Sequence, residues 1–276
     1  MRFGLDVAQH QLQWSEILER VRFAEETGFE GAWVFDHFSA LYGDPDGPCL
    51  EGWTLLAGLA AYTVSIRLGT LVTGITHRHP AVLASQAVTV DHISDGRLEL
   101  AIGAAWNDEE HEELGIPFPD ADERMDRLEE SVQILRSLLT RDDVTFEGDY
   151  YELRNATYRP RPVQQPHPPI WIGGTGRRRL LPIAGRHADV WHGWGTRDEL
   201  RTMFEILDEA AEQAGRNPQD IARASSLSIS EPWDQVRREF DDLAEVGISY
   251  LVVEWPSEGW GRIQEFVEKV WPVLQS

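Results

Sequence analysis

Lysine is almost missing from this chain: Lys269 is the only one, and every other basic residue is arginine. Any anion site must therefore draw on arginine, backbone N–H groups or helix ends. Cysteine is equally scarce. Cys49 stands alone, which excludes an internal disulfide and fits a reducing, cytoplasmic setting. No apolar run approaches transmembrane length, and the opening Met-Arg-Phe-Gly-Leu-Asp has no signal-type apolar stretch. Positive charge is in deficit overall, with 47 acidic residues against 25 basic and a net charge of -22. Such a surface repels phosphate backbones and anionic lipid, so neither nucleic acid nor a membrane is an expected partner. Repeats and low-complexity segments are lacking too.

What remains is globular: 276 residues, 42% hydrophobic, enough for one large core. The 11 tryptophans point to a pocket or an interface. Short apolar runs alternate with amphipathic ones. Strands are expected at 2–7, 31–35, 66–72, 97–102, 169–172, 189–192, 221–229 and 250–254. Helices are expected at 14–27, 51–64, 80–92, 121–140, 177–185, 197–215, 232–246 and 259–274. Gly28 stops the first helix, and Pro80 sits at a first helical position, where its missing N–H costs nothing. About eight strand-then-helix units in a chain of this length predict an α/β fold of the (β/α)8 TIM-barrel type. An open doubly wound sheet is the alternative, but it calls for an early phosphate loop, which is missing. Gly148-Asp149 between Val-Thr-Phe and Tyr-Tyr-Glu-Leu predicts a β-hairpin. With the proline-rich stretch after it, this makes 142–168 an excursion from a single domain spanning 1–276.

Chemistry in such a fold gathers where strands end. Asp36 and His37 stand at the end of Ala32-Trp-Val-Phe, placed for proton transfer or ligand contact; a cap beside a satisfied histidine is the alternative. Gly173-Gly174-Thr175-Gly176-Arg177, followed by two more arginines, joins a strand to a helix and suits a phosphate. A plain strand-to-helix turn is the other reading. Gly103, Ala104 and Ala105 are small enough for a flat ligand to approach the backbone, with Trp106 and Asn107 to pack on it and bond it. His77 and His79 have ligand-like spacing, but no acidic or cysteine partner is near in sequence, and no metal is expected. Asp108 to Glu113 is expected to be mostly a solvated charge run. Asp91 and Arg97, at a helix-to-strand join, are expected to form a structural pair at the barrel bottom.

Together these stretches resemble the bacterial luciferase-like superfamily and, within it, the coenzyme F420-dependent oxidoreductases. The carriers are Gly31-Ala-Trp-Val-Phe-Asp-His37, Arg67-Leu-Gly-Thr-Leu-Val-Thr-Gly74, His79-Pro-Ala-Val-Leu-Ala84 and Thr89-Val-Asp-His-Ile-Ser-Asp-Gly-Arg97. Gly103-Ala-Ala-Trp-Asn107, Gly115-Ile-Pro-Phe-Pro119 and Ile172-Gly-Gly-Thr-Gly176 complete the set, which covers residues 1 to about 195 in the family's order. The resemblance implies a deazaflavin across the strand ends. It implies a non-prolyl cis peptide in a bulge near Gly74-Ile75, with Thr73 beside it, and a phosphate loop at 173–176. It also implies ring contacts from Asp36 and His37. The family's sugar-phosphate dehydrogenases carry a proton-donating glutamate after the fourth strand. Trp106 stands at about that point, which argues against a sugar phosphate and leaves His37 as the acid/base. The expected activity is hydride transfer between F420 and a small organic substrate. The alternatives are an FMN-dependent monooxygenase, a non-catalytic flavin or deazaflavin carrier, and a metal-dependent barrel hydrolase. Members of the family are often dimers, so the resemblance leaves room for a homodimer.

Overall fold

The alternation of apolar strands and amphipathic helices builds a closed parallel barrel in the computed structural model, which describes residues 1–274. The chain runs β1 (Arg2–Asp6), α1 (Trp14–Thr27), β2 (Gly31–Val34), α2 (Gly52–Tyr62) and β3 (Arg67–Thr70). A two-residue strand β4 (Thr73–Gly74) precedes α3 (Pro80–Ile93), β5 (Leu98–Gly103), α4 (Asp108–Leu114) and α5 (Ala121–Thr140). The hairpin β6 (Val144–Glu147) and β7 (Glu152–Ala156) follows, antiparallel and separate from the barrel, as the turn at Gly148-Asp149 predicts. Then come β8 (Ile170–Gly173), α6 (Leu180–His187), β9 (Val190–His192), α7 (Arg197–Gln213) and β10 (Ala222–Leu227). The last elements are α8 (Trp233–Val246), β11 (Tyr250–Glu254) and α9 (Trp260–Glu265). A π-helical turn at Phe266–Val270 carries α9 on into α10 (Trp271–Leu274).

Parallel neighbours follow the order β1, β2, β3, β5, β8, β9, β10, β11, and β11 pairs with β1 to close the ring. Eight strands of this width leave room only for side chains in the lower interior. Trp33, Trp171 and Tyr250 fill it, with ring centroids 4.6 Å apart for Trp33–Trp171 and 5.2 Å for Trp171–Tyr250. Their polar tips are satisfied: Trp33 Nε1 donates to Tyr250 Oη at 3.2 Å and Trp171 Nε1 to Glu99 Oε2 at 2.6 Å. Gly4 and Gly69 make this plug fit, since a Cβ at either would press into the Trp33 ring. The larger core lies between barrel and helices, around residues such as Leu5, Ile17, Leu56 and Leu135. Among the described residues, no helix is long and apolar enough to cross a membrane.

Arg97 and Asp91 do not pair, contrary to the sequence expectation. Arg97 instead clamps the end of α2, donating to the carbonyls of Ala60 (2.9 Å), Thr63 (3.1 Å) and Ile66 (2.7 Å). Its reach is set by carbonyls left unpaired at that helix end, which sequence spacing does not reveal. Asp91 accepts from the backbone and side-chain amides of Gln164 at 3.1 and 2.8 Å, tying the excursion to the barrel bottom.

Candidate active site

The Trp33–Trp171–Tyr250 plug stops short of the strand ends, and above it lies a cavity of about 920 Å³. Its wall takes residues from the ends of all eight barrel strands, among them Asp6, His37, Val72, Gly103, Gly173 and Glu254. The floor is apolar where the chain leaves β3. Val72 is seated between Gly103 and Gly173, each so close that a Cβ would lie 2.6 or 2.7 Å from its methyl groups. The two glycines therefore fix where Val72 stands. A non-prolyl cis peptide joins Leu71 and Val72. The sequence reading placed it three residues later, near Gly74-Ile75. The ladder breaks after Thr70, as soon as the Leu71 amide has bonded Val34 O at 2.8 Å.

Asp36 is buried and bound from several sides. Arg78 grips it with two nitrogens at 2.6 and 2.8 Å, the Gly74 amide donates at 3.0 Å, and His77 Nδ1 lies 3.3 Å away. Burial raises its carboxyl, but the bonds from His77 and Arg78 outweigh that and hold it below the ordinary carboxylate range. Asp36 thus anchors the segment after β3. Asp36 and its neighbour His37 both line the cavity.

His37 Nδ1 lies 3.0 Å from Glu110 Oε2. The other oxygen of Glu110 accepts from the backbone amides of Phe38 at 2.7 Å and Ser39 at 3.1 Å, and from the Ser39 hydroxyl. Burial pushes Glu110 up, but His37 and these donors prevail and hold it at about 2. It is therefore ionised across the neutral range, and it fixes the ring of His37 so that Nε2 is the nitrogen left for a ligand. Sequence reasoning missed this residue by placing it in a solvated run. The spacing carried a signal: Glu110 and His111 fall on the inward face of a helix capped by Asn107, whose side chain accepts from the Glu110 amide at 3.3 Å. His111 is buried too, with Nδ1 2.6 Å from Asn107 O and Nε2 2.7 Å from Thr76 Oγ1.

His77, Glu110 and His111 also bring three ligand-type atoms within 4.8 Å of one another, so the acidic partner missing from the local sequence arrives from α4. Their atoms are largely engaged already; His77 Nε2 alone is buried without a hydrogen-bond partner, 3.8 Å from Glu110. His79 takes no part. It caps α3, accepting from the Ala81 amide at 3.1 Å, in the extended conformation that Pro80 imposes.

The remaining predicted site residues divide. Gly74, Gly103, Ala105, Trp106, Asn107, Gly173 and Gly174 line the cavity. Thr73 and Ile75 do not: they are buried beneath it, Thr73 bonded to Trp53 Nε1 at 3.0 Å. Thr175, Gly176 and Arg177 form the rim where β8 runs into α6, outside the cavity wall. Arg178 and Arg179, read as anion donors, are ion-paired to Asp122 and Asp126 on α5, whose acidic face the sequence order hid.

The family description "Luciferase-like monooxygenase" matches residues 1–250. The chain belongs to that family. It is a luciferase-like oxidoreductase, and its relatives narrow the comparison. It is 33% identical over 236 residues to the F420-dependent glucose-6-phosphate dehydrogenase of Microbacterium testaceum, covering 83% of this chain and 68% of that one. An F420-dependent secondary alcohol dehydrogenase, solved with an F420-acetone adduct, superposes with a TM-score of 0.89 at 21% identity, over 100% of this chain and 99% of that one. The F420-dependent tetrahydromethanopterin reductase of Methanopyrus kandleri gives a TM-score of 0.84 at 20% identity, over 99% of both chains. At those identities the two structures speak for the luciferase-like barrel alone.

Proposed function

We propose that this luciferase-like protein transfers a hydride between coenzyme F420 and a small organic substrate, with His37 moving the accompanying proton. The observation that carries the reading is His37 at the cavity wall, its Nδ1 fixed 3.0 Å from an ionised Glu110. An imidazole so held keeps one nitrogen for the reacting molecule, as an acid/base group requires.

The cavity suits the coenzyme. Val72, raised between Gly103 and Gly173, offers an apolar face on which a flat ring can lie. At the rim, the amides of Thr175 and Gly176 have no partner among the described residues, and they stand before α6, where a phosphate is well received. Arg177 is the one arginine of its run without an ion pair among the described residues. When bound, the deazaflavin supplies hydride donor and acceptor chemistry at C5. The chain's own part is placement: Asp36 and Arg78 hold the segment after β3, Glu110 orients His37, and Trp106 packs against His37 with centroids 5.6 Å apart.

Several relatives act on a sugar phosphate, but the residues lining this cavity include no lysine or arginine to receive one. A sugar phosphate would therefore meet no fixed positive side chain on the cavity wall. Titration with F420 and FMN in parallel, followed by fluorescence and heat, tests the cofactor. Tight F420 and weak FMN binding is the expected result. Preference for FMN with O₂ uptake would move the protein to monooxygenase chemistry. With coenzyme occupancy matched, His37→Ala should lower turnover by about 10²–10⁴-fold; unchanged turnover would remove His37 from the mechanism.

A further inference from the structure

Beside the cavity, α4 meets the segment between β4 and α3, and three buried side chains converge there. His77 comes from that segment, Glu110 and His111 from α4, and one ligand-type atom of each lies within 4.8 Å of the others. Both histidines line the cavity, so the cluster can be reached from it. Gly74 leaves the space that the His77 ring occupies: a Cβ there would stand 3.1 to 3.3 Å from three of its atoms. Phe38 packs on the His77 ring and Phe118 on the His111 ring, with centroids 4.9 and 4.6 Å apart. The two imidazoles are therefore held in place by apolar neighbours.

The outer bonds of both rings decide which nitrogen offers a lone pair. His111 Nδ1 meets Asn107 O at 2.6 Å, and a carbonyl only accepts, so Nδ1 carries the proton. Its Nε2 then accepts from Thr76 Oγ1 at 2.7 Å, a hydroxyl that can turn away. His77 Nδ1 faces Asp36 Oδ2 at 3.3 Å, which leaves Nε2 as the lone pair of that ring. An imidazole whose second nitrogen donates to a carboxylate or a carbonyl is arranged as a metal-bound one is. The His77 side chain is 2% exposed, and its Nε2 is buried with no hydrogen-bond partner, facing Glu110 Oε2 at 3.8 Å. A proton shared between those two atoms would draw them to about 2.8 Å. Two ligands of one tetrahedral ion, each about 2.0–2.1 Å from it, stand about 3.4 Å apart. The observed gap is closer to the second spacing. His37 occupies one lone pair of Glu110 Oε2 and leaves the other for an ion.

We propose that His77 Nε2, Glu110 Oε2 and His111 Nε2 form a site for one divalent transition metal of the Zn²⁺ class, with water at the fourth position. Two imidazoles and a carboxylate suit such an ion, whereas Mg²⁺ prefers an octahedron of oxygens. Closing the widest separation takes a movement of roughly 1–1.5 Å, once the Thr76 hydroxyl has turned away. The bound ion ties α4 to the segment after β4. It takes no part in hydride transfer, and its site stands whether or not F420 binds.

The test is calorimetric titration of the chelator-treated full chain, without F420, at about pH 7.5, where unpaired imidazoles are largely neutral. Zn²⁺ and Mg²⁺ are the probes, each alone. One Zn²⁺ per chain should bind with micromolar affinity or better, and Mg²⁺ at least about a hundredfold more weakly. Co²⁺ in place of Zn²⁺ should give the strong visible absorption of a four-coordinate ion rather than the weak one of an octahedral ion. That spectrum needs no variant, so it decides the matter even if a variant misfolds. His77→Gln, and separately His111→Gln, should each weaken Zn²⁺ binding at least about tenfold, with the circular dichroism spectrum retained. His92→Gln, at an exposed histidine bonded to Arg161 O, should leave the affinity as it is. No Zn²⁺ binding, equal binding of Mg²⁺, an octahedral Co²⁺ spectrum, or full affinity in both site variants overturns the proposal.

Discussion

Glu110 has one oxygen on three donors from Phe38 and Ser39 and the other beside His37. A carboxylate so held, at about 2 instead of 4.5, contributes stability that is complete above its unfolded value. That contribution is lost as pH falls from about 4.5 through about 2. Glu110→Gln should therefore be less stable than wild type at neutral pH, by roughly 3 kcal/mol at most. The two denaturant-unfolding curves should converge as the solution is acidified through that window. Asp6 has the opposite sign. Its value is raised, so the wild type loses stability as pH climbs from about 4 through about 7. Asp6→Asn lacks that slope, and its thermal midpoint should gain on the wild type between those limits. Parallel midpoints across the range would show that Asp6 is not held in its acid form.

At the level of elements, the glycines at the ends of β5 and β8 matter more than their strands' hydrophobicity. A methyl group at Gly103 or Gly173 would collide with Val72, the floor of the cavity. Gly103→Ala should weaken F420 binding at least tenfold, measured by fluorescence titration, with the circular dichroism spectrum retained. The same elements show what was legible beforehand. Strand and helix placement follows from local periodicity, so α1, α5 and β11 fall where expected, and Gly28 and Pro80 mark their helix ends. Gly103 was readable as a place of close approach and Gly173 as part of a phosphate loop, but the Val72 methyls between them were not readable. Glu110 was misplaced for a related reason. Its partners His37, Phe38 and Ser39 lie some seventy residues earlier, and the side-by-side pairing of β2, β3 and β5 brings α4 to the loop after β2. Charge runs report composition; which member turns inward depends on the neighbouring strand's loop. The arginines at 178 and 179 failed likewise, because α5 presents Asp122 and Asp126 to them.

For the whole molecule, the net charge of -22 acts at long range. Self-repulsion opposes the compact state, and salt screens it over about 10 Å at 0.1 M. Raising sodium chloride from about 0.02 to 0.5 M should lift the thermal midpoint by several degrees. An anionic coenzyme meets the same field, so its association rate should rise with ionic strength, in contrast to an electrostatically steered pair. A stopped-flow series in salt measures it.

The ring also has a weak link. β1 and β11 share five registered pairs, whereas β3 and β5 share two, Leu68 with Leu98 and Gly69 with Glu99. Above that point β5 is paired instead by the two residues of β4. The barrel is thus a hoop fastened unequally around its circumference, and its shortest clasp lies directly below the Val72 floor. Any breathing of the cylinder should begin at that clasp, and ligand seated on the floor would latch it.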